Sequence, residues 1–203
     1  KNKIIAVIGA GGKTTLIHRL AEEYRRKGAS VLVSTTTHML VEPDTDLSCD
    51  SFAIMEKIKK TGYCMAGAVC PENSAKMQSL PEQMLHDLMK QVDYALIEAD
   101  GAKHYALKYP LEQEPVIPEG TTDVILVLGS WDLGKPCKDV VFRFEHMTSA
   151  LGISGDMKAD KQILQQIQRA YEEKLKNMDY HGRFHVLLSE KTDQGLMFHA
   201  LEE

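Results

Sequence analysis

The sequence predicts an α/β fold in which a mostly parallel sheet is covered by helices. Two observations carry this. Five short runs rich in β-branched and other apolar residues alternate with longer segments of helical period, and each run is nearly continuous in apolar residues rather than alternating. With 203 residues, 43% of them apolar, the chain can bury a sizeable core. The expectation is a single domain over 1–203, with long functional loops or a small lobe near 35–79 and 101–120.

The first run, Ile4 to Ile8, ends in glycines and leads into a segment where Leu16, Ile17, Leu20, Ala21 and Tyr24 share one helical face. Gly28 is placed to stop that helix. The second run is Ser30 to Ser34. From 35 to 79, Pro43, Asp44 and Asp46 interrupt any period, and Tyr63 to Val69 reads as either an extra strand or a buried loop. A helix over Leu80 to Gln91 leads into the third run, Tyr94 to Glu98. Gly101 to Gly120 carries Pro110, Pro115 and Pro118 and has no sustained period. A long loop after a strand with two carboxylates is expected to be functional. The fourth run is Asp123 to Leu128. Ile163, Leu164, Ile167, Ala170, Tyr171 and Leu175 then repeat at helical spacing within Asp160 to Asn177, ahead of the fifth run, Phe184 to Leu188.

Composition narrows the function classes. A formal charge of −5 and a pI near 5.9 argue against nucleic-acid or membrane-surface binding, which needs a cationic footprint. Cys49, Cys64, Cys70 and Cys137 match no zinc-ribbon, CxxC or haem-attachment spacing, so reduced structural thiols are expected. Lys1 and Lys3 precede an apolar run too short for a signal peptide, and no stretch reaches the ~18 apolar residues of a membrane span. The cytoplasm is the expected compartment.

The segment Gly9-Ala10-Gly11-Gly12-Lys13-Thr14-Thr15 sits between a strand and an amphipathic helix. Glycines let backbone amides approach phosphate oxygens, and a helix start adds N–H groups and the positive dipole end. Lys13 would reach the β and γ phosphates and Thr14 would ligate Mg²⁺, as expected for a P-loop NTPase-like three-layer fold. The usual first glycine is missing, since Val7 stands five before Gly12. The shorter G-x-x-G-K-T-T form is similar to the loop of the Mur ligases. The alternative is a glycine-rich turn with an incidental lysine.

Such a loop needs an acidic partner on a neighbouring strand. Glu98 and Asp100, two apart on an extended chain, point to the same side and supply it, with Lys13, as candidate catalytic and metal-binding residues. The alternative is a strand-end carboxylate that caps the next loop. Thr36, Thr37 and His38 follow the second strand, where α/β folds place ligands, and are candidates for substrate binding. The loop lysines Lys103 and Lys108 could clamp an anionic substrate, with Glu114 orienting them. Glu190-Lys191-Thr192-Asp193 is a degraded match to a guanine-recognition motif and reads better as a polar loop after the last strand.

Gly9 to Thr15, Thr35-Thr36-Thr37-His38-Met39, and Glu98-Ala99-Asp100-Gly101-Ala102-Lys103, followed by Leu107-Lys108 and Glu114 to Pro118, together resemble the YqeC family. The resemblance runs through most of the chain, including Gly134-Lys135-Pro136. The family is described as selenium-dependent molybdenum hydroxylase accessory proteins. It implies a nucleotide-dependent role in maturing a molybdenum-cofactor enzyme, with ATP or GTP and Mg²⁺ as cofactors. A molybdenum-cofactor-related small molecule or the client hydroxylase is the implied partner. The Glu98 strand end is also similar to that of MobB and dethiobiotin synthetase. Two alternatives stay open: phosphoryl or nucleotidyl transfer to a small anionic substrate held by His38, Lys103 and Lys108, and a nucleotide-gated module that binds a client without chemistry.

Overall fold

The computed structural model describes residues 2–201; Lys1 lies outside them. In chain order the elements are β1 (Lys3–Gly9), α1 (Lys13–Arg26), β2 (Val31–Thr35), β3 (His38–Leu40), α2 (Ser51–Thr61), β4 (Tyr63–Met65), β5 (Ala68–Val69), β6 (Lys76–Gln78), α3 (Glu82–Met89) and β7 (Tyr94–Glu98). After them come β8 (Leu107–Lys108), β9 (Asp123–Gly129), α4 (Cys137–Val140), β10 (Val141–Phe142), α5 (Phe144–Leu151), α6 (Lys161–Asn177), β11 (Arg183–Thr192) and β12 (Gly195–Ala200). The main sheet is mostly parallel and flanked by helices, as the apolar runs predict. All five runs are strands.

The chain divides into two compact units. The first comprises the chain up to Val7, Thr14–Gly101 and Val116–Val124. There β4, β2, β7 and β1 lie side by side in that order, all parallel. Ile4, Leu32, Ala95 and Ile97 from these strands pack with Ile54 and Ile58 of α2 and Leu85, Leu88 and Met89 of α3 in one apolar cluster. Asp50 starts α2 by accepting from the Phe52 and Ala53 amides, and Gly62 ends it at φ +75°. Tyr24 of α1 stacks on Tyr94 of β7, with ring centroids 3.7 Å apart. Beside β7, the Ser30 amide and hydroxyl both donate to Asp93 and hold its carboxyl below the usual range.

The stretch 35–79, which has no clear period, folds into α2, β4 and a small antiparallel sheet of order β3-β6-β5. Strands of two or three residues are too short to register as a pattern.

The second unit comprises Ile8–Lys13, Ala102–Pro115 and the chain from Ile125 onward. Asp160 accepts from the Ile163 amide at the start of α6, whose buried stripe is Ile163, Leu164, Ile167, Tyr171 and Leu175. The 101–120 stretch includes β8, which pairs with β10.

Two expectations are corrected at the end of the chain. The last strand continues through Thr192 and pairs antiparallel with β12, so Glu190 faces Met197 and Lys191 faces Leu196. Glu190 to Thr192 are therefore strand, not a polar loop. Nor is β11 buried throughout, because its residues are mostly exposed or half-buried. A terminal antiparallel hairpin keeps a solvated face, unlike a central parallel strand. The four cysteines are free thiols, and no helix among the described residues is long and apolar enough to cross a membrane.

Candidate functional site

The glycine loop is gripped by backbone within the second unit. Gly9, Gly11 and Gly12 have φ of +85°, +88° and +107°. A Cβ on Gly9 would stand 2.4 Å from the Val127 carbonyl oxygen, and one on Gly11 would stand 2.5 Å from the Gly129 amide nitrogen. Both positions exclude any side chain, so the loop lies directly on the backbone of β9. The Ala10 amide donates to Val127 O at 2.9 Å. Ser189, fully buried on β11, donates its hydroxyl to the Gly11 carbonyl. Lys13, also buried, reaches back to the Gly9 carbonyl at 2.9 Å.

Lys13 opens α1, and Thr14 and half-buried Thr15 follow it on the helix. The first turn of α1 holds no acidic residue. Nothing on the helix itself therefore neutralises the dipole end at which anions bind.

The carboxylate partner belongs to the first unit. Glu98 pairs in register with Val7 of β1 and with Thr35 of β2, so the carboxyl ends of three parallel strands stand level. The Thr14 hydroxyl donates to Glu98 Oε2 at 2.8 Å. The Glu98 main-chain carbonyl accepts from the Thr35 hydroxyl at 2.7 Å and the Thr36 amide at 3.1 Å. Glu98 is thus held at both backbone and carboxylate, while Asp100, two residues on, is fully buried. A hydroxyl and a carboxylate one hydrogen bond apart form an all-oxygen pair suited to a hard cation such as Mg²⁺.

Thr36, Thr37 and His38 each make different contacts within the first unit. Thr36 donates its hydroxyl to the Val116 carbonyl at 2.6 Å and lines a cavity of about 500 Å³ with Ser79, Glu82, His86 and Glu119. The Thr37 amide donates to the Thr35 hydroxyl at 3.0 Å, which shapes the turn after β2. His38 is exposed at the start of β3, close to Cys70 and Glu72.

Lys108 departs from its expected role. It is fully buried on β8, with Nζ 2.8 Å from Glu114 Oε2, and Arg143 stands 3.8 Å from the other oxygen of the same carboxylate. A buried ammonium in an ion pair is an internal support rather than an open clamp for substrate. Lys103 is exposed, has φ +45°, and places its Nζ 5.6 Å from the Phe142 ring centroid.

Ser189 escapes a reading of the sequence, since the degraded motif that follows it, Glu190 to Asp193, gives the serine itself no role. Only the bond to Gly11 reveals its part.

A strand, a backbone-held glycine loop and a helix follow one another in this α/β chain, with a threonine–glutamate pair just past the loop. The chain belongs to the YqeC protein family, whose model matches residues 5–145. It is 34% identical over 161 residues to "Uncharacterized protein YqeC" of Escherichia coli (strain K12), covering 75% of this chain and 62% of that protein. The chain thus spans less than two thirds of that relative's length. Among solved structures, FtsY from Mycoplasma mycoides is similar at a TM-score of 0.37 and 17% identity, covering all of this chain and 64% of that one. The signal recognition particle receptor FtsY from Elizabethkingia anophelis is similar at a TM-score of 0.35 and 18% identity, covering 97% and 61%.

Proposed function

We propose that this chain binds a nucleoside triphosphate, ATP or GTP, with Mg²⁺, and uses it in an accessory step in the maturation of a selenium-dependent molybdenum hydroxylase. The observation that carries the nucleotide reading is the Thr14–Glu98 hydrogen bond, formed by the residue that directly follows the glycine loop and Lys13. Loop amides and the start of α1 bind phosphate oxygens, and Lys13 exchanges the Gly9 carbonyl for the β and γ phosphates. Thr14 and Glu98 hold Mg²⁺, which neutralises charge on the phosphates, and Asp100 is the second carboxylate available to that ion or its waters. The maturation role is what the resemblance of the chain's motifs to the YqeC family implies.

Calorimetry with ATP and GTP, with and without Mg²⁺, on the wild type and Lys13→Ala tests the nucleotide reading. Binding that needs Lys13 and tightens with Mg²⁺ is the expected result. Failure of the wild type to bind either nucleotide overturns it. The client role is tested separately by capture of a molybdenum hydroxylase, which should depend on nucleotide. Transfer to an anionic acceptor has weaker support, because Lys108 is committed to Glu114 and the cavity beside Thr36 is lined by Glu82 and Glu119.

A further inference from the structure

The small antiparallel sheet brings the side chain of His38 to those of Cys70 and Glu72, more than thirty residues further along the chain. His38 starts β3 and pairs with Gln78 of β6, while β5 pairs with the same strand through Ala68 and Val69. Cys70 and Glu72 lie in the turn between β5 and β6, which is closed by the Asn73 amide on the Cys70 carbonyl at 3.2 Å and the Lys76 amide on the Asn73 carbonyl at 2.9 Å. One His nitrogen, the Cys70 sulfur and a Glu72 oxygen all lie within 4.8 Å of one another. Cys70 is buried, whereas His38 and Glu72 are exposed.

We infer that His38, Cys70 and Glu72 form a binding site for a borderline divalent transition-metal ion of the Zn²⁺ type. The donor set is the reason. Thiolate, imidazole and carboxylate together match Zn²⁺, while Mg²⁺ and Ca²⁺ take oxygen ligands and would not use the sulfur. Spacing agrees with this. Tetrahedral Zn²⁺ with bonds of about 2.3 Å to sulfur and about 2.1 Å to oxygen separates those two ligands by about 3.6 Å, and Cys70 Sγ already stands 3.5 Å from Glu72 Oε2. The Cys70 thiol now donates to that oxygen. Metal binding replaces its proton, which leaves to solvent, and the sulfur and oxygen become ligands of one ion. Three protein ligands leave a fourth position for water or an external ligand, as in zinc sites that act on or carry something. This site is independent of the nucleotide reading and draws on none of its residues.

The test is titration of the reduced, metal-free protein with Co²⁺, followed by displacement with Zn²⁺. One equivalent of Co²⁺ should bind and give the sulfur-to-metal charge-transfer band that only a thiolate ligand produces. Cys70→Ser should abolish the band, and His38→Gln and Glu72→Gln, both at exposed positions, should each weaken binding about tenfold or more. Circular dichroism checks that the variants are folded, and Lys13→Ala should bind the metal as the wild type does. No band in the wild type overturns the assignment. So does a band that survives Cys70→Ser, since Cys49, Cys64 or Cys137 would then be the ligand, or an affinity unmoved by both exposed substitutions.

Discussion

The Thr14 hydroxyl lies 2.8 Å from Glu98 Oε2, joining the first turn of α1 to the end of β7. If this pair is the Mg²⁺ site, its two members fail in the same way. Glu98→Ala and Thr14→Val should bind nucleotide without Mg²⁺ much as the wild type does, yet lose the gain in affinity that Mg²⁺ brings. A loss of at least about tenfold, near 1.4 kcal/mol, is expected. Thr14→Ser keeps the hydroxyl and should retain the gain. Calorimetry at matched nucleotide concentration reads this, and an undiminished Mg²⁺ effect in Glu98→Ala would assign the ion elsewhere.

Two glycines with nearly equal φ should respond differently to alanine. Gly28, at φ +83°, has nothing within 4 Å of an added Cβ, so Gly28→Ala carries only the left-handed penalty of about 1–2 kcal/mol. Gly11, at φ +88°, would drive that carbon to 2.5 Å from Gly129 N. Overpacking adds to the same penalty, for about 2–5 kcal/mol in all. Thermal melts compare the two, and equal melting temperatures would mean that the loop does not rest tightly on β9.

Glu114 faces an ammonium with no solvent exposure. Glu114→Ala removes the carboxylate and should destabilise the protein by about 3–5 kcal/mol, because the Lys108 charge stays buried without it. Lys108→Met combined with Glu114→Leu should recover most of that loss. Urea unfolding measures both, and a double variant no better than Glu114→Ala would show that the pair is not the source.

Asp93 predicts a small acid dependence. Its folded-state pKa is lowered, first by the Ser30 amide and then by the Ser30 hydroxyl. The carboxylate therefore stabilises the fold above the unfolded value of about 3.9, and the contribution fades as pH falls through the lower folded value. The group is exposed, so less than about 1 kcal/mol is at stake. Asp93→Asn should unfold more readily than the wild type at pH 7, and the gap should narrow below about pH 4. A gap that is constant across pH would place the effect in the hydrogen bonds alone.

How much could be read from the sequence depends on how far each signal reaches along the chain. The β7 run, Tyr94 to Glu98, agrees with its strand residue for residue, and the α6 stripe of Ile163, Leu164, Ile167, Tyr171 and Leu175 is buried as its spacing implies. The glycine loop was legible because a strand, glycines and a helix are contiguous there. Glu98 was legible because a strand-end carboxylate follows from the chemistry of such a loop. The end of β11 was not, since the fifth apolar run stops at Leu188 while the strand continues through polar Glu190 and Lys191.

Local pattern alone therefore determined the α/β class, the main strands and the glycine loop, because periodicity and backbone freedom are properties of neighbouring residues. Only the tertiary structure decided that Lys108 is buried against Glu114, that Ser189 supports Gly11, and that His38 stands with Cys70 and Glu72. Burial and convergence depend on what packs around a residue, and that is set by contacts between segments many residues apart.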